Sequence, residues 1–300
     1  GPPTSGTLAV TPYRGMALTT EFEFLLDGWS DDADDYPLTY TYGYRQQRRT
    51  KRTASGYKPE QLVPLVADQY ASAWFVTTLP QAKNVNISCV GRTFDRYLSY
   101  AEVQQPARVD ELVISTEDLT ELADDLLSSS LDTSDGEASL SLISNVASVL
   151  GTTPKSVNGT EVEKTPEELA AETALIDNLF AATLSAASLV GTGTSAAATT
   201  QVLSTVSTLS ANPEALSEDS QTGALDLLDN VVGGSAETGI DPDAAASTAA
   251  AVSSLLDASL FSAPAEAASE DAAASKAALG GQMAGTVGAL ATGMVANAFG

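Results

Sequence analysis

The sequence predicts an α+β protein with its two classes of structure in separate domains. A β-sandwich is expected over residues 1–110, followed by an all-α antiparallel helical bundle over residues 111–300. Three observations carry that expectation. Of the chain's 18 aromatic residues, 15 lie between Tyr13 and Tyr100, and only Phe180, Phe261 and Phe299 follow. Residues 1–110 hold 11 basic and 12 acidic side chains, whereas residues 111–300 hold 3 and 27 and are dominated by Ala, Ser, Leu and Thr. The apolar spacing changes near residue 115 from alternation to steps of three and four. A joint shift of aromatics, charge and period marks a domain boundary near residue 110.

In the first domain, runs rich in Val, Thr, Tyr and Phe are separated by Gly, Pro and Asp clusters. Strands are expected at Thr7–Thr11, Ala17–Leu26, Leu38–Arg45, Gln61–Val66, Ala73–Thr78, Asn84–Val90 and Tyr97–Val103. In the third, Leu38, Tyr40, Tyr42 and Tyr44 alternate with Thr39, Thr41, Gly43 and Arg45. That gives one apolar and one mostly polar face, as a half-buried antiparallel strand requires. Such a set of strands in about a hundred residues fits an immunoglobulin-like or fibronectin-III-like sandwich. Trp29 and Trp74 are both expected in its core. The sixth strand places Val85, Ile87 and Cys89 on one face and Asn84, Asn86 and Ser88 on the other. Asn86-Ile87-Ser88 is an N-glycosylation sequon turned to water, and Asn158-Gly159-Thr160 is a second one in a polar loop. The same alternation buries Cys89 as an inert small hydrophobe.

Beyond residue 115, Leu119, Leu122, Leu126 and Leu127 recur at helical spacing, as do Leu140, Ile143, Val146, Val149 and Leu150. Thr165-Pro166-Glu167-Glu168, Asn212-Pro213-Glu214 and Asp241-Pro242-Asp243 each set a capping side chain before a proline. Gly151, Gly191 and Gly233 fall where helices would end. Helices are expected at 116–130, 138–150, 166–190, 195–210, 218–232, 243–261 and 266–297. Their many small residues allow close approach of the axes, hence a bundle. The capped prolines are too unevenly spaced for a solenoid.

The composition removes most enzyme classes. The chain has no histidine, one cysteine and a net charge of −25. Ser-His-Asp and Cys-His nucleophilic machinery, imidazole metal sites, multi-thiolate zinc sites and an internal disulfide are therefore excluded. The acidity disfavours nucleic acid, because phosphate backbones require clustered Lys and Arg. The expected function is non-enzymatic.

Four segments invite a sharper reading. Asp31, Asp32, Asp34 and Asp35 form an acidic loop with two readings, a solvated turn or a calcium site built from carboxylate oxygens. Arg45, Arg48, Arg49, Lys51 and Arg52 form the basic cluster. It is either a solvated hairpin tip, a polyanion-binding surface, or, at Arg49-Thr50-Lys51-Arg52, a furin-like processing site. Gly191-Thr192-Gly193-Thr194-Ser195-Ala196 approximates a dinucleotide fingerprint but follows a helix, so a helix-to-helix turn is expected. Residues 277–300 carry no charge and contain Gly281-Gln282-Met283-Ala284-Gly285, a close-packing pattern. They read as a buried helix, since Gln282, Asn297 and many Gly and Ala suit a bilayer poorly.

Residues 6–44 also carry a family likeness. Gly6-Thr7-Leu8-Ala9-Val10-Thr11-Pro12 is followed by Gly15-Met16-Ala17-Leu18, by Gly28-Trp29-Ser30-Asp31 and by Tyr36-Pro37-Leu38-Thr39-Tyr40. That order resembles the receptor-for-egg-jelly (REJ) module of polycystin-1-type proteins. Ala211-Asn212-Pro213-Glu214-Ala215-Leu216-Ser217 and Gln221-Thr222-Gly223-Ala224-Leu225-Asp226-Leu227-Leu228 resemble the helical segment that follows it in that family. The resemblance implies fibronectin-III-like units and a helical part belonging to the first half of an autoproteolysis-inducing domain. The family's cleavage motif needs a His, which this chain lacks. It further implies an excerpt of a large receptor or channel-associated protein at the extracellular face of the cell, at a ciliary membrane, anchored by regions outside these residues. The implied partners are a polycystin-2-like channel subunit and extracellular matrix or glycoprotein ligands. The alternative is a structural subunit of a secreted filament.

Overall fold

The structure, a computed structural model, describes residues 1–46, 62–66, 70–81, 86–132, 135–150, 156–157, 160–161, 164–190, 196–234, 242–261 and 280–289. The chain divides into two units, Gly1–Val113 and Ile114–Gly300.

The first unit is β-rich and holds eight described strands: β1 (Thr7–Thr11), β2 (Arg14–Met16), β3 (Glu21–Asp27), β4 (Thr39–Gln46), β5 (Leu62–Pro64), β6 (Trp74–Thr78), β7 (Asn86–Phe94) and β8 (Tyr100–Asp110). β1, β3 and β6 form one antiparallel sheet. The second has the order β2-β8-β7-β4-β5, antiparallel except where β2 runs parallel to the end of β8. Strict alternation along β1 and β3 buries Leu8, Val10, Phe22, Phe24 and Leu26. The opposing sheet buries Tyr42, Tyr44, Ile87, Cys89, Ala107 and Val109. The sheets meet through rings: Phe24 packs edge-on to Tyr42 at 5.9 Å, and Tyr42 stacks on Phe75 at 5.1 Å. Gly91 lets Leu26 of the facing sheet close in, since a Cβ there would lie 2.7 Å from Leu26 Cδ2.

Two expectations need correction here, and one strand was not expected. Ala17–Leu26 is not one strand. Residues 17–20 form a turn in which Leu18 has φ 64° and the Met16 N–H donates to Thr20 Oγ1 at 2.8 Å. The short β2 before it shows no alternation in Arg-Gly-Met, so only its pairing with Arg108–Asp110 reveals it. Trp74 is not in the core but 52% exposed, because the inward position on β6 belongs to Phe75.

The second unit has seven helices among the described residues: α1 (Thr116–Asp132), α2 (Gly136–Leu150), α3 (Pro166–Val190), α4 (Ala196–Leu209), α5 (Glu218–Gly234), α6 (Pro242–Phe261) and α7 (residues 280–289). α3 begins at a reciprocal capping box. The Glu168 N–H donates to Thr165 Oγ1 at 3.2 Å, and the Thr165 N–H donates to Glu168 Oε2 at 2.8 Å. Asn212, expected as a cap, makes no such bond. Pro213–Ala215 is a single 3₁₀ turn, and Ser217 caps α5 through the Ser220 N–H at 2.9 Å. The region is also not purely helical, because β9 (Ser156–Val157) pairs with β10 (Thr160–Glu161). The signal was present: Asn158-Gly159 is a strong two-residue hairpin pair.

This core is built from Leu140, Ile143 and Val146 on α2, Leu175, Ile176 and Leu179 on α3, and Val202, Leu203 and Val206 on α4. α4 is buried nearly all round although it carries Thr199, Thr200, Ser204, Thr205 and Ser207. Such hydroxyls are tolerated because they donate to carbonyls of their own helix. Thr205 bonds the Gln201 oxygen at 2.9 Å, and Thr183 bonds the Leu179 oxygen at 2.7 Å. α3 is the one described helix long and apolar enough to cross a membrane. It is nonetheless tied into the unit by polar side chains. Glu172, 2% exposed, accepts from Lys164 and Asn212, and Asp177 accepts from Ser217 and Ser220.

Candidate functional site

The acidic loop leaves β3 through Gly28, whose φ of +73° suits glycine. Ala33–Asp35 makes one 3₁₀ turn. This folding gathers the carboxylates of Asp31, Asp32 and Asp35, whose nearest oxygens all lie within 4.8 Å of one another. Asp34, the fourth residue expected, lies outside that group. The Asp32 N–H donates to Asp31 Oδ1 at 2.9 Å, and the Asp31 N–H donates to the Tyr36 hydroxyl at 3.3 Å. Carboxylate oxygens on a short loop are the donor type that hard cations such as calcium prefer. The Gly1 amino group stands 3.8 Å from Asp35.

Beside this loop lies the turn joining β7 to β8. Asp95, 2% exposed, organises it by accepting the N–H groups of Tyr97 at 2.7 Å and Ser99 at 2.9 Å. Leu98 is thereby held at φ 67°, a region leucine rarely adopts. Tyr97 and Leu98 are left 65% and 66% exposed. Arg96 joins turn and loop: its N–H donates to the Asp35 carbonyl at 3.0 Å and its Nη1 to the Asp34 carbonyl at 3.3 Å. Its guanidinium also lies 5.1 Å from the Tyr97 ring centre. The sequence reading missed this tip by starting a strand at Tyr97 rather than Tyr100. Asp95, poised to bond backbone two residues on, was the available signal.

A second polar constellation lies on the five-stranded sheet. Glu102 accepts from Arg45 at 3.1 Å and from Arg92 at 2.9 Å, and Gln104 donates to it at 2.8 Å. Burial pushes its carboxyl upward, but the hydrogen bonds from Gln104 and Arg92 and the two guanidinium charges together hold it below the usual range. Arg45 is thus committed to Glu102. The other members of the basic cluster, Arg48, Arg49, Lys51 and Arg52, lie outside the described residues, as does the proposed processing site.

Asn86 opens β7 with its side chain exposed, opposite Ile87 and Cys89. Burial pushes the Cys89 thiol up to about 12, far from a reactive range. Asn158 and Gly191–Ser195 are outside the described residues. Trp29 is half-buried over Gly6, where a Cβ would collide with its ring. On α7, Met283 and Thr286 are buried while Gly281 and Gly285 face open space. The close-packing reading of that glycine pair is therefore wrong among the described residues; Thr286 instead bonds Asp229 of α5.

Residues 1–145 match the model of the REJ domain. This stretch is similar to REJ domains. The REJ match spans the whole β-rich unit and continues through α1 into α2. No curated protein and no solved structure matches the chain.

Proposed function

We propose that this chain is part of the extracellular region of a polycystin-1-type receptor or channel-associated protein and works without catalysis. The REJ match over residues 1–145 carries that reading. In it, the two aromatic-filled sheets are a fibronectin-III-like sandwich that presents loops and edges to ligands. The helices form an antiparallel bundle, the helical half of an autoproteolysis-inducing domain, that couples the sandwich toward a membrane anchored elsewhere. The partners are a polycystin-2-like channel subunit or matrix glycoproteins, and the setting is the cell surface, including the ciliary membrane. A chain with no histidine and a single buried, unreactive thiol supports a binding rather than a catalytic role.

The test is to secrete the chain from mammalian cells and map its glycans by peptide mass spectrometry. The secreted protein is then probed for binding to matrix glycoproteins and to the extracellular domain of a polycystin-2-type channel. Occupied Asn86 together with saturable binding to either partner class supports the reading. An unmodified Asn86, or binding to neither class, overturns it.

A further inference from the structure

The loop after β3 and the β7–β8 tip make one continuous surface, joined by the two bonds from Arg96 to the Asp34 and Asp35 carbonyls. We infer that this surface docks a basic polypeptide segment, one that inserts an aliphatic or aromatic side chain beside Tyr97 and Leu98 while its Lys or Arg residues face the aspartates. Tyr36, Tyr97, Leu98 and Tyr100 are exposed here, and Tyr97 and Leu98, at 65% and 66%, are more exposed than Tyr13, Met16, Leu25 or Trp74 elsewhere in the strands and turns of this unit. Leucine gains nothing from a solvent-exposed left-handed position, where glycine or asparagine would be the relaxed choice. Asp95 nevertheless pins the turn there from within.

Charge selects the occupant. Among the described residues, Asp31, Asp32, Asp34 and Asp35 outnumber the cations beside this surface, Arg96 and Arg92, whose guanidinium lies 4.9 Å from the Tyr100 ring centre. Arg96 is moreover already engaged with backbone carbonyls and the Tyr97 ring. A second copy docking the same face would bring four further aspartates against these. Its helical half, with 27 acidic against 3 basic residues, would be repelled as well. A segment that is both basic and apolar satisfies the carboxylates and covers the exposed side chains at once. That holds whether or not the whole protein is a receptor of the kind proposed above, so failure of one reading leaves the other standing.

The experiment measures fluorescence anisotropy of a labelled synthetic peptide of repeated Lys-Leu-Lys units on the full chain. Peptides of Lys-Ser-Lys and Glu-Leu-Glu units serve as controls. Lys-Leu-Lys should bind about tenfold more tightly than Lys-Ser-Lys, the equivalent of burying a modest apolar area. Glu-Leu-Glu should not bind.

Leu98→Gly suits the backbone it replaces, so the variant folds, and it should weaken Lys-Leu-Lys binding about fivefold. Asp32→Asn with Asp35→Asn should weaken it about fivefold too, while Asp124→Asn with Asp125→Asn, an equal charge loss on α1, should change it less than about twofold. Equal binding of the leucine and serine peptides would reduce the effect to bulk charge and overturn the inference. So would an unaltered Leu98→Gly variant, or equal losses from the two aspartate pairs.

Discussion

The two units reach the same end, a buried interior, with opposite materials. The β-rich unit fills the space between its sheets with large rings, Phe22, Phe24, Tyr42 and Phe75, and the edge-on Phe24–Tyr42 and stacked Tyr42–Phe75 contacts span the gap. The helical unit uses Ala, Leu and Val together with hydroxyls, and the hydroxyls bond their own helices. The difference follows from geometry. Packed sheets stand about 10 Å apart and need long side chains to fill the space, whereas helices carrying small residues can approach closely. Charge follows the same division. The β unit nearly balances its charges and pairs some of them specifically, as in Arg45–Glu102–Arg92, while the helical unit carries a large unbalanced negative charge.

The strongest way to break that contrast is Phe24→Ala. Deleting this fully buried ring should cost about 3–5 kcal/mol and leave the helical transition in place. Calorimetry with near- and far-ultraviolet circular dichroism distinguishes the two, and a common shift of both would mean the units unfold as one. Glu172→Gln should cost less, about 1–3 kcal/mol, because it weakens the bond from Lys164 but keeps an acceptor for Asn212. Urea denaturation monitored at 222 nm in the helical band reads it.

Acid should change the stability of the two units differently. The folded-state pKa of Glu102 is depressed, so its contribution is present above the ordinary value of 4.5 and is lost as pH falls through the lower folded value. The β unit should therefore lose stability below about pH 4.5, and Glu102→Gln should reduce that dependence, leaving the part due to Asp110, whose carboxyl is also held low by its hydrogen bonds from Arg14 and Arg108. Over mild acidification the helical unit should hold or gain, since protonation relieves self-repulsion, and added salt should raise its melting temperature for the same reason. Parallel acid profiles for the two units would contradict this. The smallest expected effect is Trp74→Ala. Its side chain is mostly in solvent, so the change should stay within about 0.5 kcal/mol despite the size of the residue.

How much could be read beforehand depended on range. α3 was placed at both ends because its start is written as Thr165-Pro166 with Glu168, and its periodicity runs unbroken to Val190. β1 was likewise placed at both ends, because its alternation lies between clear turn residues. Asn212 misled because its helix-start grammar was outcompeted by a long-range bond to Glu172, 40 positions away. Trp74 misled because hydrophobicity alone does not say which of two adjacent residues points inward.

Local chemistry was therefore enough to specify the division into a β-rich and a helical unit, most element types and boundaries, and the exposed sequon at Asn86. These depend on period, caps and composition, all of which act within a few residues. Tertiary structure alone decided what meets what. It set β2 beside β8, brought Arg45 and Arg92 to one glutamate, and gathered Asp31, Asp32 and Asp35 while leaving out Asp34. It also placed the Tyr97–Leu98 tip against the acidic loop. Strand register and loop closure govern these meetings, and both are settled by packing energies summed over distant parts of the chain.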